Sequence, residues 1–163
     1  MFRRQHSQMT TPKSADAGQP LPNAKLGPAQ AGDIAANRKA VILIVEDNAI
    51  IRMGAVDLVV HAGYEALEAS NAEEAIRLLE ARTDIVLVFT DVGMPGTMDG
   101  IKLAHHIRNR WPPVKLIVAS GRSIIEQSRL PEGSHFFPKP YSDGTIVEQM
   151  RRMLAPIETR QES

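Results

Sequence analysis

Four places in this sequence put a chemically capable side chain at the end of an apolar run. Glu46-Asp47 follows Val41-Ile-Leu-Ile-Val45, and Thr90-Asp91 follows Ile85 to Phe89. Ser120-Gly121 follows Leu116 to Ala119, and Lys139-Pro140 comes just after Phe136-Phe137. If those runs are parallel strands, their carboxyl ends share one edge, which is where open α/β sheets bind ligands. Three carboxylates, one hydroxyl and one ammonium would then converge. Crowded carboxylates repel, so ionising all of them is costly. A hard divalent cation relieves that repulsion, and Mg²⁺ prefers one or two carboxylates completed by water and phosphate oxygens. An aspartate is a competent nucleophile toward phosphorus and yields an acyl phosphate. Phosphoryl transfer needs mainly positioning and charge neutralisation. Lys139 can supply a point charge to one phosphoryl oxygen, and Ser120 a hydrogen bond to another.

The segments between these strand ends read as the elements that would hold them. Val41–Val45 is a β-branched run without a polar break, as in a strand buried on both faces. Ile51, Ala55, Leu58, Val59 and Ala62 follow helical spacing, and Gly63 is a stop signal. Tyr64 to Ala69 reads as a second strand, and Asn71 caps a helix carrying Ala75, Ile76 and Leu79. After the third strand, Met94-Pro95-Gly96 is loop chemistry. Asp99 or Gly100 opens a helix with Leu103, Ala104, Ile107 and Trp111, ended by Pro112-Pro113. Ser123 to Leu130 is expected to be a short helix. Ser142 or Asp143 caps a last one with Ile146, Val147, Met150, Met153 and Leu154. Five strands alternating with five helices predict a doubly wound parallel sheet.

Composition bounds the rest. The length suits one domain. Without cysteine there is no disulfide, thiolate metal site or cysteine nucleophile. No apolar run approaches the roughly 20 residues of a membrane helix, and no apolar stretch follows Arg3-Arg4 to make a secretory signal. Residues 1–40 hold six Lys/Arg against Asp16 and Asp33, leaving 13 basic and 17 acidic groups beyond. That acidic remainder argues against non-specific nucleic-acid binding. Residues 1–40 lack periodicity and hold few large apolar side chains, and are expected to be a disordered tail. Residues 41–155 are the expected domain and 156–163 a C-terminal tail.

The segments VILIVEDN, FTDVGMP with MDG, IVASG and FFPKPY resemble the signature segments of response-regulator receiver domains, in order, over roughly Val41 to Leu154. The resemblance implies a flavodoxin-like fold with strand order 2-1-3-4-5, an order the chemotaxis receivers exemplify. It makes Asp91 the phosphoacceptor. Glu46 and Asp47 become the acidic pair that, with Asp91 and the backbone carbonyl of Gly93, serves Mg²⁺ or Mn²⁺, Asp47 as a direct ligand. Ser120 takes the hydroxyl position, Lys139 the lysine position and Phe136 the aromatic switch position. The Lys139–Pro140 bond resembles one that is cis in receivers. The sequence departs from the common pattern in an extra residue within Met94–Gly100, in Ser at 120, and in Phe at 136. Gly93 and Arg122 fall where side chains tune phosphoryl loss.

The function so implied is a cytoplasmic two-component or phosphorelay switch, a monomer or weak dimer. A histidine kinase or phosphotransfer protein would phosphorylate it, and it would signal by protein contact. It carries no DNA-binding module and catalyses only its own phosphorylation and dephosphorylation. Plainer readings stand beside these. Asp91 could be a turn residue, Ser120 likewise, and Phe136 simple core. His61, His105 and His106 lie on predicted helices, where adjacent histidines diverge and make no metal site. The rival functions are a pseudo-receiver that binds partners without phosphorylation, and an Asp-nucleophile phosphohydrolase. The second needs an acid/base aspartate at the position of Gly93.

Overall fold

In a computed structural model of the protein, residues 38–122 and 127–156 are described. Five strands form one parallel sheet: β1 (Val41–Val45), β2 (Glu65–Ala69), β3 (Ile85–Asp91), β4 (Lys115–Ser120) and β5 (His135–Pro138). Their order is β2-β1-β3-β4-β5, with every neighbouring pair parallel. The helices are α1 (Ala49–His61), α2 (Ala72–Ala81), α3 (Gly100–Arg110) and α4 (Asp143–Leu154). The expected helix at Ser123 to Leu130 lies partly outside the described residues. What is described of it is one 3₁₀ turn, Gln127–Arg129. The expected N-terminal tail also falls largely outside them, as does most of the expected C-terminal tail.

Period-two alternation sorts the strands' side chains into two layers. Val41, Leu43, Val45, Val88 and Val118 pack with α2 and α3 through Ala75, Leu79, Leu103 and Ile107. Ile42, Ile44, Leu87, Phe89 and Ile117 pack on the other face with α1 and α4 through Ala55, Val59, Ile146 and Met150. Ile42, Leu43 and Val45 are completely buried, and each such side chain contributes roughly 1.5–3 kcal/mol relative to exposure. A continuous apolar strand is thus the sequence signature of a sheet covered on both faces.

The β1–β3 ladder slips by one residue. Val41 pairs with Ile85 but Ile42 pairs with Leu87. Val86 is the unpaired extra residue, and it is 37% exposed although it sits inside an apolar run. Beyond this bulge the ladder runs in register to Val45 and Thr90, bringing the ends of β1 and β3 level.

The turns leaving the strands are fixed by caps. Asn48, Asn71, Asp99 and Ser142 each accept backbone N–H groups of the first helical turn. Asp99 rather than Gly100 is the cap of α3, and Ser142 rather than Asp143 that of α4. Asn48 was not singled out in the sequence, yet it accepts from Ile50 and Ile51 at 3.0 and 3.1 Å. Gly63, past the end of α1, has φ +96°, the left-handed conformation that a helix stop of this kind requires.

Candidate functional site

Glu46 and Asp47 leave β1 at the carboxyl edge. The N–H of Glu46 donates to Ala69 O at 3.1 Å, extending the β1–β2 ladder by one bond. Its carbonyl accepts from Arg52 Nη1 at 2.8 Å, and Arg52 also pairs with Glu68 at 3.1 Å. The Glu46 side chain is therefore aimed from a pinned backbone. It is buried. Oε1 accepts the Asn48 N–H at 3.1 Å and Oε2 accepts Lys139 Nζ at 3.1 Å. Burial raises the pKa of this carboxyl above the ordinary glutamate value, against the lowering effect of the Asn48 and Lys139 hydrogen bonds. Asp47 is exposed.

Asp91 is the last residue of β3 and pairs with Ala119 of β4. Lys139 Nζ lies 3.2 Å from its Oδ1, so one ammonium bridges Asp91 and Glu46. Burial opposes the charge on Lys139. The hydrogen bond to Glu46 and the negative charge of both carboxylates outweigh it and raise the pKa. Lys139 is placed by its own backbone, whose N–H donates to Ser120 O at 2.8 Å, and its bond to Pro140 is cis.

The carboxylate oxygens of Glu46, Asp47 and Asp91 lie within 4.8 Å of one another. One ammonium does not neutralise three carboxylates. An all-oxygen cluster with one exposed member fits a hard divalent cation that retains water. Gly93 is exposed and close: a Cβ built on it would stand 3.7 Å from Asp91 Oδ2. The backbone here is tied back on itself, with Val92 N–H donating to Ala119 O and both Met94 and Gly100 N–H groups donating to Val92 O, all at 3.0 Å.

Ser120 is buried, and its Oγ accepts the Arg122 N–H at 3.1 Å. Phe136 pairs with Val118 across β4–β5 and packs, half-buried, on the layer formed with α2 and α3. Three of the four strand-end groups thus meet directly, with Lys139 joining Glu46 and Asp91. Ser120 stands one residue beyond the strand partner of Asp91.

The model for the response regulator receiver domain matches residues 42–151 of the chain. The protein is a member of the response-regulator receiver family. It is 33% identical over 117 residues to the chemotaxis protein CheY of Thermotoga maritima, a match covering 69% of this chain and 95% of that one. It is 34% identical over 119 residues to the sensor kinase CckA of Brucella abortus, covering 71% of this chain and 12% of the kinase. It is 34% identical over 125 residues to the transcriptional regulatory protein PdtaR of Mycobacterium tuberculosis, covering 74% and 58%. The chain therefore spans only part of the sensor kinase and of PdtaR. Among solved structures, the receiver domain of the hybrid histidine kinase CckA aligns with a TM-score of 0.60 at 34% identity, over 70% of this chain and 98% of that one. TrrA of Thermotoga maritima, solved in complex with Mg²⁺–BeF, aligns with a TM-score of 0.61 at 26% identity, over 70% and 98%.

Three residues of this receiver's site were not legible as site residues in the sequence. Arg52 pins the Glu46 backbone, a role that only the α1–β2 packing reveals. Asn48 binds a Glu46 carboxylate oxygen through its N–H, and its position just before a helix was the available signal. Tyr141 lines the crevice beside Asp91 and Lys139, with its ring centroid 5.8 Å from that of Phe89. Burial pushes its phenol up from the usual tyrosine value, so it stays neutral near pH 7.

Proposed function

We propose that this receiver is a phosphorylation-dependent switch of a two-component or phosphorelay system, with Asp91 as acceptor. The observation that carries the reading is the bridge by Lys139, 3.2 Å from Asp91 and 3.1 Å from Glu46, over a cluster of three carboxylates. An Asp91 carboxylate oxygen attacks the phosphorus of a phosphohistidine on a histidine kinase or phosphotransfer protein. The P–N bond breaks, its electron pair stays on the imidazole, and an acyl phosphate forms on Asp91. Glu46, Asp47, Asp91 and the carbonyl of Gly93 would hold Mg²⁺ or Mn²⁺, whose charge offsets that of the phosphoryl oxygens. Beryllofluoride bound with Mg²⁺ in the related TrrA structure supports that reading by analogy.

Phosphorylation changes the partner of Lys139 from a carboxylate to a phosphoryl oxygen. It also gives the Ser120 O–H an acceptor, while Ser120 Oγ can go on accepting the Arg122 N–H. Movement of Ser120, with Phe136 turning inward, remodels the β4–β5 face, and output follows by protein contact. The chemistry is confined to phosphorylation and dephosphorylation of the receiver itself. No described helix is long and apolar enough to cross a membrane, and the proposed setting is the cytoplasm, where kinase domains meet their substrates.

The test is Mg²⁺-dependent labelling by a small phosphodonor, or beryllofluoride binding, with wild type and Asp91→Asn side by side. Saturable, metal-dependent modification that the substitution removes is the expected result. No response in wild type would instead support a pseudo-receiver that binds partners constitutively.

A further inference from the structure

Lys139 borders a crevice lined by Ile51 and Ala55 of α1, by Phe89 of β3 and by Tyr141, and also by the polar Glu46, Thr90 and Asp91. Its free volume is about 10 Å³, at the lower limit of what one water occupies. Tyr141 is half-buried and its ring is tilted 57° against Phe89. Phe89 stands two residues before Asp91 on the same strand, so the tyrosine ring packs against the strand that presents the acceptor. Ile51, one helical turn before Ala55 on α1, lines the same crevice.

We propose that Tyr141 is a positioning residue for Lys139: its ring fills the crevice that both residues line, limits the entry of water there, and so holds Nζ against Asp91. This rests on the acyl-phosphate reading above and adds a residue to it. Lys139 has a flexible four-carbon stem, and an ammonium in contact with bulk water exchanges its carboxylate partners for solvent. Its attraction to a phosphoryl oxygen is strong only where the surroundings are dry. The ring performs this task, since no hydrogen bond of the phenol is needed for it. Truncation to alanine opens the crevice to several waters. Phenylalanine leaves it closed.

The experiment is a beryllofluoride titration at saturating Mg²⁺, followed by ¹⁹F NMR, on the whole chain. The proteins are wild type, Tyr141→Phe, Tyr141→Ala, Tyr141→Leu, Lys139→Ala and the Tyr141→Ala/Lys139→Ala double variant. Folding is checked by circular dichroism, and Tyr141→Leu serves if the alanine variant does not fold. Tyr141→Ala is expected to bind roughly three- to tenfold more weakly, and Tyr141→Phe like wild type. In the Lys139→Ala background the same truncation should have little further effect, because its action passes through Lys139. Equal affinity in wild type and Tyr141→Ala or Tyr141→Leu would overturn the proposal. So would an undiminished loss without Lys139, which would mark the ring as general packing. Failure of wild type to bind at all would instead overturn the acceptor reading.

Discussion

A side-chain carbon on Gly100 would collide with the backbone carbonyl of Asp91, and would stand 2.8 Å from the Cα of Val92. The N–H of Gly100 meanwhile donates to Val92 O at 3.0 Å. The first residue of α3 is thus pressed on the strand end that carries Asp91. Alanine there gains helix propensity of up to about 1 kcal/mol, but it must displace backbone. Gly100→Ala is expected to lose about 1–3 kcal/mol, measured by urea unfolding, and to lower beryllofluoride affinity. Unchanged stability would show that the α3 start can slide away from Asp91 freely.

Lys139→Ala removes the cation shared by Asp91 and Glu46. Glu46 is buried, and its remaining partner at the carboxylate is the Asn48 N–H. The variant should fold, with a loss of about 1–3 kcal/mol for the unpaired buried acceptor. Its phosphorylation-induced change, read as amide shifts on beryllofluoride addition, should shrink over β4 and β5. A full-size response would remove Lys139 as the coupling group.

Much of this arrangement was legible because it depends on local pattern. Strand ends follow from where the apolar runs of Val41–Val45 and Ile85–Phe89 stop, and parallel alternation then puts those ends on one edge. The contacts that crossed elements were not legible. Arg52 reaches both the Glu46 carbonyl and Glu68 only because α1 lies over the β1–β2 edge. The exposure of Val86 depends on a one-residue slip in the β1–β3 ladder. Tyr141 reads in sequence as an aromatic after proline, and its place beside Asp91 appears only once β5 lies against β4. Helix caps fell between: Asn71 was legible, whereas Asp99 and Ser142 each had a neighbour equally suited by type.

The start of α2 carries a pH-dependent clasp. Asn71 Oδ1 accepts the Glu74 N–H, and Glu74 Oε2 accepts both the N–H and the hydroxyl of Ser70, all at 2.8 Å. The backbone hydrogen bond from Ser70, then its hydroxyl, lower the Glu74 pKa below the ordinary glutamate value. A depressed carboxyl pKa stabilises the fold fully above the unfolded pKa, and the benefit fades as pH falls through the lowered value. Glu74→Gln should therefore flatten the acid limb of the stability curve below about pH 4.5, with Asn71→Ala costing about 1 kcal/mol at any pH. Parallel acid limbs in wild type and Glu74→Gln would assign the acid loss elsewhere.

The carboxylate cluster makes opposite predictions with and without metal. Glu46, Asp47 and Asp91 lie within 4.8 Å of one another, and Lys139 offsets only part of their charge. Without metal, Asp47→Asn relieves repulsion at an exposed position and should stabilise the protein slightly, by roughly 0.5 kcal/mol. With Mg²⁺ the order reverses. Ligand binding to the folded state alone stabilises by RT ln(1 + [L]/Kd), which is about 1.4 kcal/mol at ten times Kd. Wild type should rise in Tm with added Mg²⁺, while Asp47→Asn, lacking the carboxylate proposed as a ligand, should stay nearly constant, so their Tm values cross as the metal is titrated. Protein freed of divalent metal with EDTA, and then of the EDTA itself, supplies the starting point for both. Parallel Mg²⁺ responses in the two proteins would remove Asp47 from the metal site. A flat response in wild type would mean that the three carboxylates tolerate their proximity without a cation.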